Sequence, residues 1–211
     1  GPLLHAPDVY MDKIAIGPGY DKNVINIDAS PEENIKRLAK AKGVPVSEIT
    51  ALVLERPRHE ALIAAIRSTG AALRLIPDGD VAGVIHTTDP AKSGIDIYLG
   101  IGGAPEGVLA AAALRCIGGQ MQTRLILDTE EKRERAAKMG VTDPKMIYGI
   151  EDMAKGDCLF AATGVTDGAL LSGVKFRGDV IETETIVMRS VTGTVRIIKG
   201  EHRQLEKFHL D

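Results

Sequence analysis

The chain has 211 residues and a formal net charge of −3, and 44% of its residues are hydrophobic but only 3% are aromatic. Such a length can bury a sizeable core, and the balanced charge, without a basic stripe interleaved with aromatic residues, argues against a nucleic-acid-binding protein. The longest apolar run is too short to span a bilayer, nothing resembles a signal peptide, and Cys116 and Cys158 stand far apart, so we expect a cytoplasmic protein with no membrane or nucleic-acid partner.

The first predicted element is a helix whose start is marked by Ser30, followed by a proline and, three positions on, by Glu33, the pattern of a capping box. Strands and helices then alternate over residues 50–128. A charged surface helix is predicted over Glu130–Gly140, and strand-like runs fill the last third of the chain. This order predicts an α/β fold, a mixed β-sheet flanked by helices, in one domain over residues 1–211. We expect the C-terminal strands to close that sheet as antiparallel members.

The alternating region contains the elements on which the candidate site depends. Its predicted strands are Thr50–Glu55, Ala71–Ile76, Ile95–Leu99 and Gln120–Asp128. Its predicted helices are Arg58–Gly70, Asp80–Thr88 and Pro105–Ile117. Each of the first three strands is followed at once by residues that could carry chemistry.

The segment Gly100–Gly107, GIGGAPEG, is predicted to form a glycine-rich turn before an almost wholly apolar helix. It does not fit a dinucleotide motif, because Pro105 stands where the third glycine should be and Glu106 would place a negative charge where a pyrophosphate rests. It is not a Walker A motif either, because no Lys-Ser/Thr follows. Glu106 lies in the first helical turn, where the macrodipole favours a carboxylate. It is either a ligand for a hard divalent cation or an ordinary first-turn acid.

The segment Arg56–Glu60 follows the strand that begins at Thr50. Arg56 and Arg58 are separated by Pro57, which stiffens the junction between the strand and the next helix. Two guanidiniums at a strand end suit phosphate oxygens, although an ordinary surface pair is equally consistent with the pattern. His59 is interpreted as a residue of the helix start and not as a catalytic base.

The segment IPDGDV, at the end of the next strand, contains Asp78, Gly79 and Asp80. A tight turn with Asp80 as the N-cap of the following helix explains these residue types. The two carboxylates could also accept hydrogen bonds from sugar hydroxyls or help to hold a metal. If the three strands are parallel, all three loops gather at one edge of the sheet, as they should around a phosphorylated polyol and a divalent metal.

Five segments, in one order along the chain, resemble the C-terminal portion of the class II fructose-1,6-bisphosphatases, some relatives of which also act on sedoheptulose 1,7-bisphosphate. They are APDVYMDK, RPRHEALI, IPDGDVAG, GIGGAPEGV and FAATGVTDGALLSGV. The resemblance implies the layered α/β sandwich of the sugar and inositol phosphatases. It implies hydrolysis of the 1-phosphate of fructose 1,6-bisphosphate in gluconeogenesis, with Mg²⁺ or Mn²⁺ as the cofactor. It also implies a homo-oligomer, either a dimer or a tetramer.

The same resemblance implies roles for individual residues. Glu106 matches a metal-ligand glutamate of the family. Tyr10 and Arg58 would hold the retained 6-phosphate, and Asp78 and Asp80 would bind the sugar hydroxyls. The other residues that match substrate-binding positions are Arg56, which stands where some relatives have lysine, Pro57, Gly79 and Gly103.

The sequence departs from the family pattern in one large respect. The remaining metal ligands of the family lie in an N-terminal half that contains a GEGE…D segment and a DPIEGT motif, and neither motif occurs here. We therefore expect the chain to correspond to the C-terminal half of such a phosphatase and to be inactive, or nearly so, by itself. The alternative is a non-catalytic domain that binds a sugar phosphate.

Overall fold

The computed structural model describes residues 3–204, and residues 1–2 and 205–211, the two ends of the predicted domain, lie outside that range. The strands of its first sheet are β1 (Tyr10–Ile16), β2 (Thr50–Leu54), β3 (Ala72–Ile76), β4 (Ile97–Gly103), β5 (Gln120–Leu125) and β6 (Tyr148–Gly149). In space they follow the order β3-β2-β4-β1-β5-β6. The four strands predicted over residues 50–128 are therefore confirmed.

The directions of the strands make this a mixed sheet, as the sequence predicted. β2 pairs in parallel with both β3 and β4. β1 lies antiparallel between β4 and β5, so that Tyr10 is opposite Gly103 and Lys13 is opposite Gly100. The beginning of β1 consequently lies at the same edge as the end of β4.

The helices of the described residues are α1 (Pro31–Lys42), α2 (Glu60–Ser68), α3 (Asp80–His86), α4 (Pro90–Ser93), α5 (Ala104–Ile117), α6 (Glu130–Lys138) and α7 (Ile150–Met153). The predicted start of α1 is confirmed, because the Ser30 hydroxyl accepts a hydrogen bond of 3.1 Å from the backbone N–H of Glu33. The helix ends at Gly43, whose positive φ of 74° suits a glycine C-cap. Within residues 3–204, no helix combines the length and the apolar character that crossing a membrane requires.

Side chains of the first sheet alternate between two cores, because successive residues of a strand point to opposite faces. On one face, Ile14 packs with Leu38 of α1 and Ile66 of α2. On the other face, Met11 packs with Val108 of α5. A continuous apolar run such as that of β2 is typical of a strand covered on both faces.

The C-terminal strands do not close the first sheet, and that expectation was wrong. They form a separate, antiparallel sheet of β7 (Leu159–Thr163), β8 (Lys175–Arg177), β9 (Val180–Arg189) and β10 (Thr194–His202). Its buried face, which includes Phe160 and Met188, packs against Cys116 of α5. The reason is that α5 buries two of its sides: Ala111 lies in the core of the first sheet and Ala113 in that of the second. Covering both sides of α5 requires two sheets.

Candidate functional site at the carboxyl edge of the first sheet

Three parallel strands, β2, β3 and β4, end at one edge of the first sheet. β2 is followed by Arg56–Arg58, β3 is followed by Asp78–Asp80, and β4 leads directly into α5 with Glu106 in its first turn. β1 begins at this edge with Tyr10, since it runs antiparallel to β4. The expected gathering of the three loops is therefore confirmed, and β1 adds a fourth element to it.

This edge also contains the point at which the order of the strands reverses. The chain passes from β2 to β3 on one side, whereas β4 lies on the other side of β2. The helix after β2 covers one face of the sheet and the helix after β4 covers the opposite face. Open α/β sheets bind ligands in the crevice outside the carboxyl ends of the strands at such a point.

His59 fills the gap between β2 and β4 at this edge. Its Nε2 accepts a hydrogen bond of 2.8 Å from the backbone N–H of Ile101, so Nδ1 carries the proton and donates to the carbonyl of Leu54 at 2.7 Å. Burial lowers the pKa of His59, although the hydrogen bond to Leu54 opposes this shift. His59 lies directly before α2, as predicted. No pattern in the sequence indicated that it would join two strands.

Asp12 of β1 lies in a cavity of about 220 Å³ that Arg58 and His59 also line. Burial raises the pKa of this carboxyl, and the hydrogen bond from the backbone N–H of Lys13 and the charge of Arg124 oppose the shift. Asp12 was not among the site residues predicted from the sequence. It lies on the face of β1 that carries Ile14, away from the face that carries Lys13.

Arg58 and Tyr10, predicted to hold the same phosphate group, lie together. The guanidinium carbon of Arg58 is 4.7 Å from the centroid of the Tyr10 ring. Arg58 also donates two hydrogen bonds to the carbonyl of Ile101, from Nε at 3.1 Å and from Nη2 at 2.8 Å. Both side chains are exposed, so this arrangement offers a fixed cation and a phenol hydroxyl at the surface of the edge.

Arg56 does not join them. Its Nη1 donates to the carbonyl of the neighbouring Glu55 at 3.0 Å, and it lines a different cavity, of about 450 Å³, with Arg67. Pro57, which starts the short 3₁₀ turn Pro57–His59, separates the two arginines. The structure thus brings Arg58, but not Arg56, to Tyr10.

Asp80 is not the N-cap of α3, and that prediction was wrong. Gly79 occupies the cap with a φ of +93°, and Asp80 is the first residue of the helix. Its Oδ2 accepts a hydrogen bond of 2.5 Å from Nζ of Lys13, a buried residue of β1. Asp78 stays exposed, and its Oδ1 accepts a hydrogen bond from the backbone N–H of Gly79. The feature of the sequence that could have indicated this ion pair is Lys13 itself, a basic residue within the mostly apolar stretch of β1.

The glycines of Gly100–Gly103 lie in β4 and do not form the predicted turn. Added side chains would collide with their surroundings: a Cβ at Gly102 would strike Asp80 Oδ2 and lie 3.0 Å from Lys13 Nζ. A Cβ at Gly100, whose φ is +148°, would lie 3.1 Å from Cε1 of His59. The glycines therefore make room for buried polar side chains at the end of β4.

Gly103 faces Glu106. It is the N-cap of α5, with an ordinary extended backbone (φ −63°, ψ 142°), and a Cβ there would collide with the Glu106 carboxylate. Glu106 lies in the first turn, as predicted, and is exposed. The carboxylate therefore folds back over the end of β4, beside Gly103, which matches a substrate-binding position of the family.

The described part of the chain does not by itself provide a metal centre. No three side chains of His, Cys, Asp or Glu within residues 3–204 are grouped so that they could hold a metal ion. Asp80 is already paired with Lys13. Glu106 fits a single ligand position, since it is an exposed carboxylate at a helix start.

Comparisons with known proteins agree on one family. A sequence model described as "Bacterial fructose-1,6-bisphosphatase, glpX-encoded" matches residues 1–202. The chain is 42% identical over 215 residues to "D-fructose 1,6-bisphosphatase class 2/sedoheptulose 1,7-bisphosphatase" of Synechococcus sp. (strain JA-2-3B'a(2-13)), covering 96% of this chain and 61% of the relative. It is 42% identical over 214 residues to "Fructose-1,6-bisphosphatase class 2" of Haemophilus influenzae (strain ATCC 51907 / DSM 11121 / KW20 / Rd), covering 95% and 63%. The chain thus spans about three fifths of the length of the curated relatives it matches.

Proposed function

The chain belongs to the family of bacterial, glpX-encoded fructose-1,6-bisphosphatases, and we propose that the full-length protein containing it removes the 1-phosphate of fructose 1,6-bisphosphate, releasing fructose 6-phosphate and inorganic phosphate. The observation that carries this proposal is the family match over residues 1–202. The gathering of Arg58, Tyr10, Asp80 and Glu106 at one sheet edge supports it.

In this proposal, Arg58 and Tyr10 bind the phosphate that is retained. The two hydrogen bonds from Arg58 to the Ile101 carbonyl hold its guanidinium in place before the substrate arrives. A fixed guanidinium loses little conformational freedom on binding a phosphate. The Tyr10 hydroxyl adds a neutral donor beside it.

Asp78, Gly79, Asp80 and Gly103 form the part of the site that binds the sugar. Carboxylates accept hydrogen bonds from hydroxyl groups, and the glycines keep side chains away from the ring. Arg56 and Pro57, which match substrate-binding positions of the family, belong to the loop after β2, where Arg56 lines a different cavity from Arg58.

Glu106 provides one ligand of a divalent metal, Mg²⁺ or Mn²⁺, whose other ligands come from a segment of the full-length protein outside this chain. Such a metal, when bound, polarises a phosphoryl oxygen and activates water. The chain's own contribution is to hold the sugar and the retained phosphate so that the 1-phosphate is fixed beside Glu106. Positioning of this kind accounts for much of the catalysis of phosphoryl transfer.

Sedoheptulose 1,7-bisphosphate is a second candidate substrate. The Synechococcus relative carries both activities in its name. Both sugars are ketose bisphosphates, so the same phosphate and hydroxyl contacts would serve either one. The ratio of kcat/KM for the two substrates decides between a single and a dual specificity.

We also propose a cytoplasmic homo-oligomer, a dimer or a tetramer, that acts in gluconeogenesis. Two observations support the location and the assembly. Cys116 and Cys158 are free thiols, in keeping with a reducing compartment. On β10, Val195 and Ile197 lie on the same face of the strand and remain 45% and 49% exposed, an apolar surface of the kind that subunits cover. The mass in solution, measured by light scattering, tests the assembly.

The decisive test is release of phosphate from fructose 1,6-bisphosphate with Mn²⁺, with fructose 6-phosphate identified by a coupled isomerase and dehydrogenase assay. We expect the full-length protein to be active, and the 211-residue chain and the full-length Glu106→Gln variant to be inactive. An inactive full-length protein would refute the proposed function. Activity of the 211-residue chain that survives repurification would instead refute the division of the metal site between segments.

A further inference from the structure

Lys13 is the buried partner of Asp80, a residue of the candidate site, and the resemblance to the family assigns no role to it. Its side chain is 1% exposed, and its Nζ lies 2.5 Å from Asp80 Oδ2. The two residues are 67 positions apart in the sequence, on β1 and at the start of α3. We propose that Lys13 is a positioning residue, which fixes the Asp80 carboxylate so that one oxygen is held and the other is presented to a sugar hydroxyl. This inference rests on the proposed function.

The surroundings of the pair leave it little freedom. A Cβ at Gly102 would collide with Asp80 Oδ2 and lie 3.0 Å from Lys13 Nζ. A Cβ at Gly107, in the first turns of α5, would lie 3.1 Å from Cε of Lys13 and closer still to Met11. Two glycines therefore provide the space in which the lysine reaches the carboxylate. A side chain packed in this way holds its partner within the tolerance that a binding site requires.

The second oxygen of Asp80 remains available. No group within residues 3–204 donates a hydrogen bond to Oδ1, although Oδ2 is taken by Lys13. The Asp80 side chain retains 12% exposure, whereas the Lys13 side chain is sealed from solvent. Asp80 therefore presents one acceptor to the edge of the sheet and has its other acceptor fixed from inside.

A second ion pair of the same type shows what a purely structural pair looks like. Asp96 accepts from Lys42 Nζ at Oδ1 (2.6 Å) and from the backbone N–H of Thr50 at Oδ2 (2.9 Å). Both of its oxygens are used within the fold, at the opposite ends of β2 and β4. The Lys13–Asp80 pair differs because one of its oxygens is left for a ligand.

The test compares steady-state kinetics of the full-length protein and its variants on fructose 1,6-bisphosphate. We expect Lys13→Met to lower kcat/KM by at least about tenfold, mainly through KM, because the hydroxyl contact is lost in substrate and transition state alike. Because Lys13 acts through Asp80, the double variant Lys13→Met/Asp80→Asn should be no worse than Asp80→Asn alone. If Lys13→Met does not fold, the double variant can be measured in its place, because it contains no unpaired buried charge.

Lys42→Met is the matched control. It breaks the Lys42–Asp96 ion pair, whose aspartate is buried although its lysine is exposed, and should lower the melting temperature while leaving kcat/KM unchanged. Two results would overturn the positioning role while the proposed function stands. One is wild-type kinetics in Lys13→Met. The other is a loss of kcat/KM in the double variant equal to the combined losses of Lys13→Met and Asp80→Asn. If the wild-type full-length protein itself does not hydrolyse the bisphosphate, the proposed function fails first and the role of Lys13 fails with it.

Discussion

The guanidinium carbon of Arg58 lies 4.7 Å from the centroid of the Tyr10 ring, and the same guanidinium donates twice to the carbonyl of Ile101. Three separate pieces of chain, the start of β1, the loop after β2 and the end of β4, meet in this one contact. An arginine held over an aromatic ring by cation–π attraction and by backbone hydrogen bonds is oriented without a ligand. This orientation leads to the first prediction.

Arg58→Lys in the full-length protein should lower kcat/KM for fructose 1,6-bisphosphate by roughly 10- to 100-fold, because lysine keeps the charge but loses the fork that binds Ile101 and a phosphate together. The free energy of unfolding should change by less than about 0.5 kcal/mol, since the side chain is exposed. Arg196→Lys, at an exposed position of β10, is the control and should change neither quantity. An Arg58→Lys variant with wild-type kcat/KM would exclude a phosphate contact through the guanidinium fork.

Gly103→Ala should disable Glu106 without unfolding the protein. Alanine is compatible with the ordinary backbone angles of Gly103, but its Cβ would displace the Glu106 carboxylate. Displacement of a catalytic group by about 1 Å costs about 100-fold in rate. We expect kcat of the full-length variant to fall by this order with an unchanged melting temperature.

Gly168→Ala is the matched control for that experiment, because the atom nearest to its added Cβ is the Leu171 carbonyl oxygen at 3.7 Å. It should retain wild-type kcat. If Gly103→Ala also retains wild-type kcat while Glu106→Gln loses activity, then the present position of the Glu106 carboxylate over Gly103 is not the one used in catalysis.

The elements that could be predicted from the sequence are those that depend on residues close to one another along the chain. The start of α1 depends on Ser30 and its neighbours within four residues, and the parallel strands alternate with helices in the usual order. The gathering of Arg58, Asp78–Asp80 and Glu106 at one edge followed from that order. These predictions required no knowledge of contacts between distant residues.

The errors and omissions have distant causes. β1 was not predicted, because Asp12 and Lys13 interrupt its apolar pattern, and the partner that explains Lys13 is 67 residues away. Gly100–Gly103 indicated a turn, as clustered glycines usually do. They are part of a strand because side chains from other elements fill the space beside them. Local propensity contains no information on such contacts.

Tyr98→Phe should stabilise the protein. Tyr98 is fully buried, and its hydroxyl has no hydrogen-bond partner among the described residues. Burial raises the pKa of this phenol, and the charge of Asp80 adds to the shift. Removing an unsatisfied buried hydroxyl should increase the free energy of unfolding by about 1 kcal/mol in urea denaturation of the 211-residue chain.

Tyr148→Phe provides the comparison for Tyr98→Phe, since Tyr148 is also buried but its hydroxyl is not among the buried atoms that lack a partner. Its free energy of unfolding should stay within about 0.5 kcal/mol of the wild-type value. A loss of stability in Tyr98→Phe larger than this would show that the Tyr98 hydroxyl is hydrogen-bonded in the folded protein.

His59 should make stability fall as the pH is lowered from 7 to 5. In the folded protein burial lowers its pKa below the ordinary 6.5, and Nε2 must stay unprotonated to accept from Ile101. The unfolded chain takes up a proton near its ordinary pKa, so below that pH it binds more protons than the folded protein, and acid favours unfolding. The slope from this one group reaches at most about 1.4 kcal/mol per pH unit and vanishes below the lowered folded pKa.

Urea denaturation between pH 5 and 8 measures this contribution as the difference between the wild type and His59→Gln. His86 remains in both proteins, and burial lowers its pKa too, so its contribution cancels. At pH 7.5 the variant should be less stable than the wild type, because it lacks the two hydrogen bonds of His59. The difference between their free energies of unfolding should narrow as the pH falls, because protonation of His59 destabilises only the wild type. His5→Gln, at an exposed position, should follow the wild-type curve. Parallel curves for the wild type and His59→Gln would mean that His59 takes up its proton equally well in the folded and unfolded states, and that the bond from Ile101 does not hold it neutral.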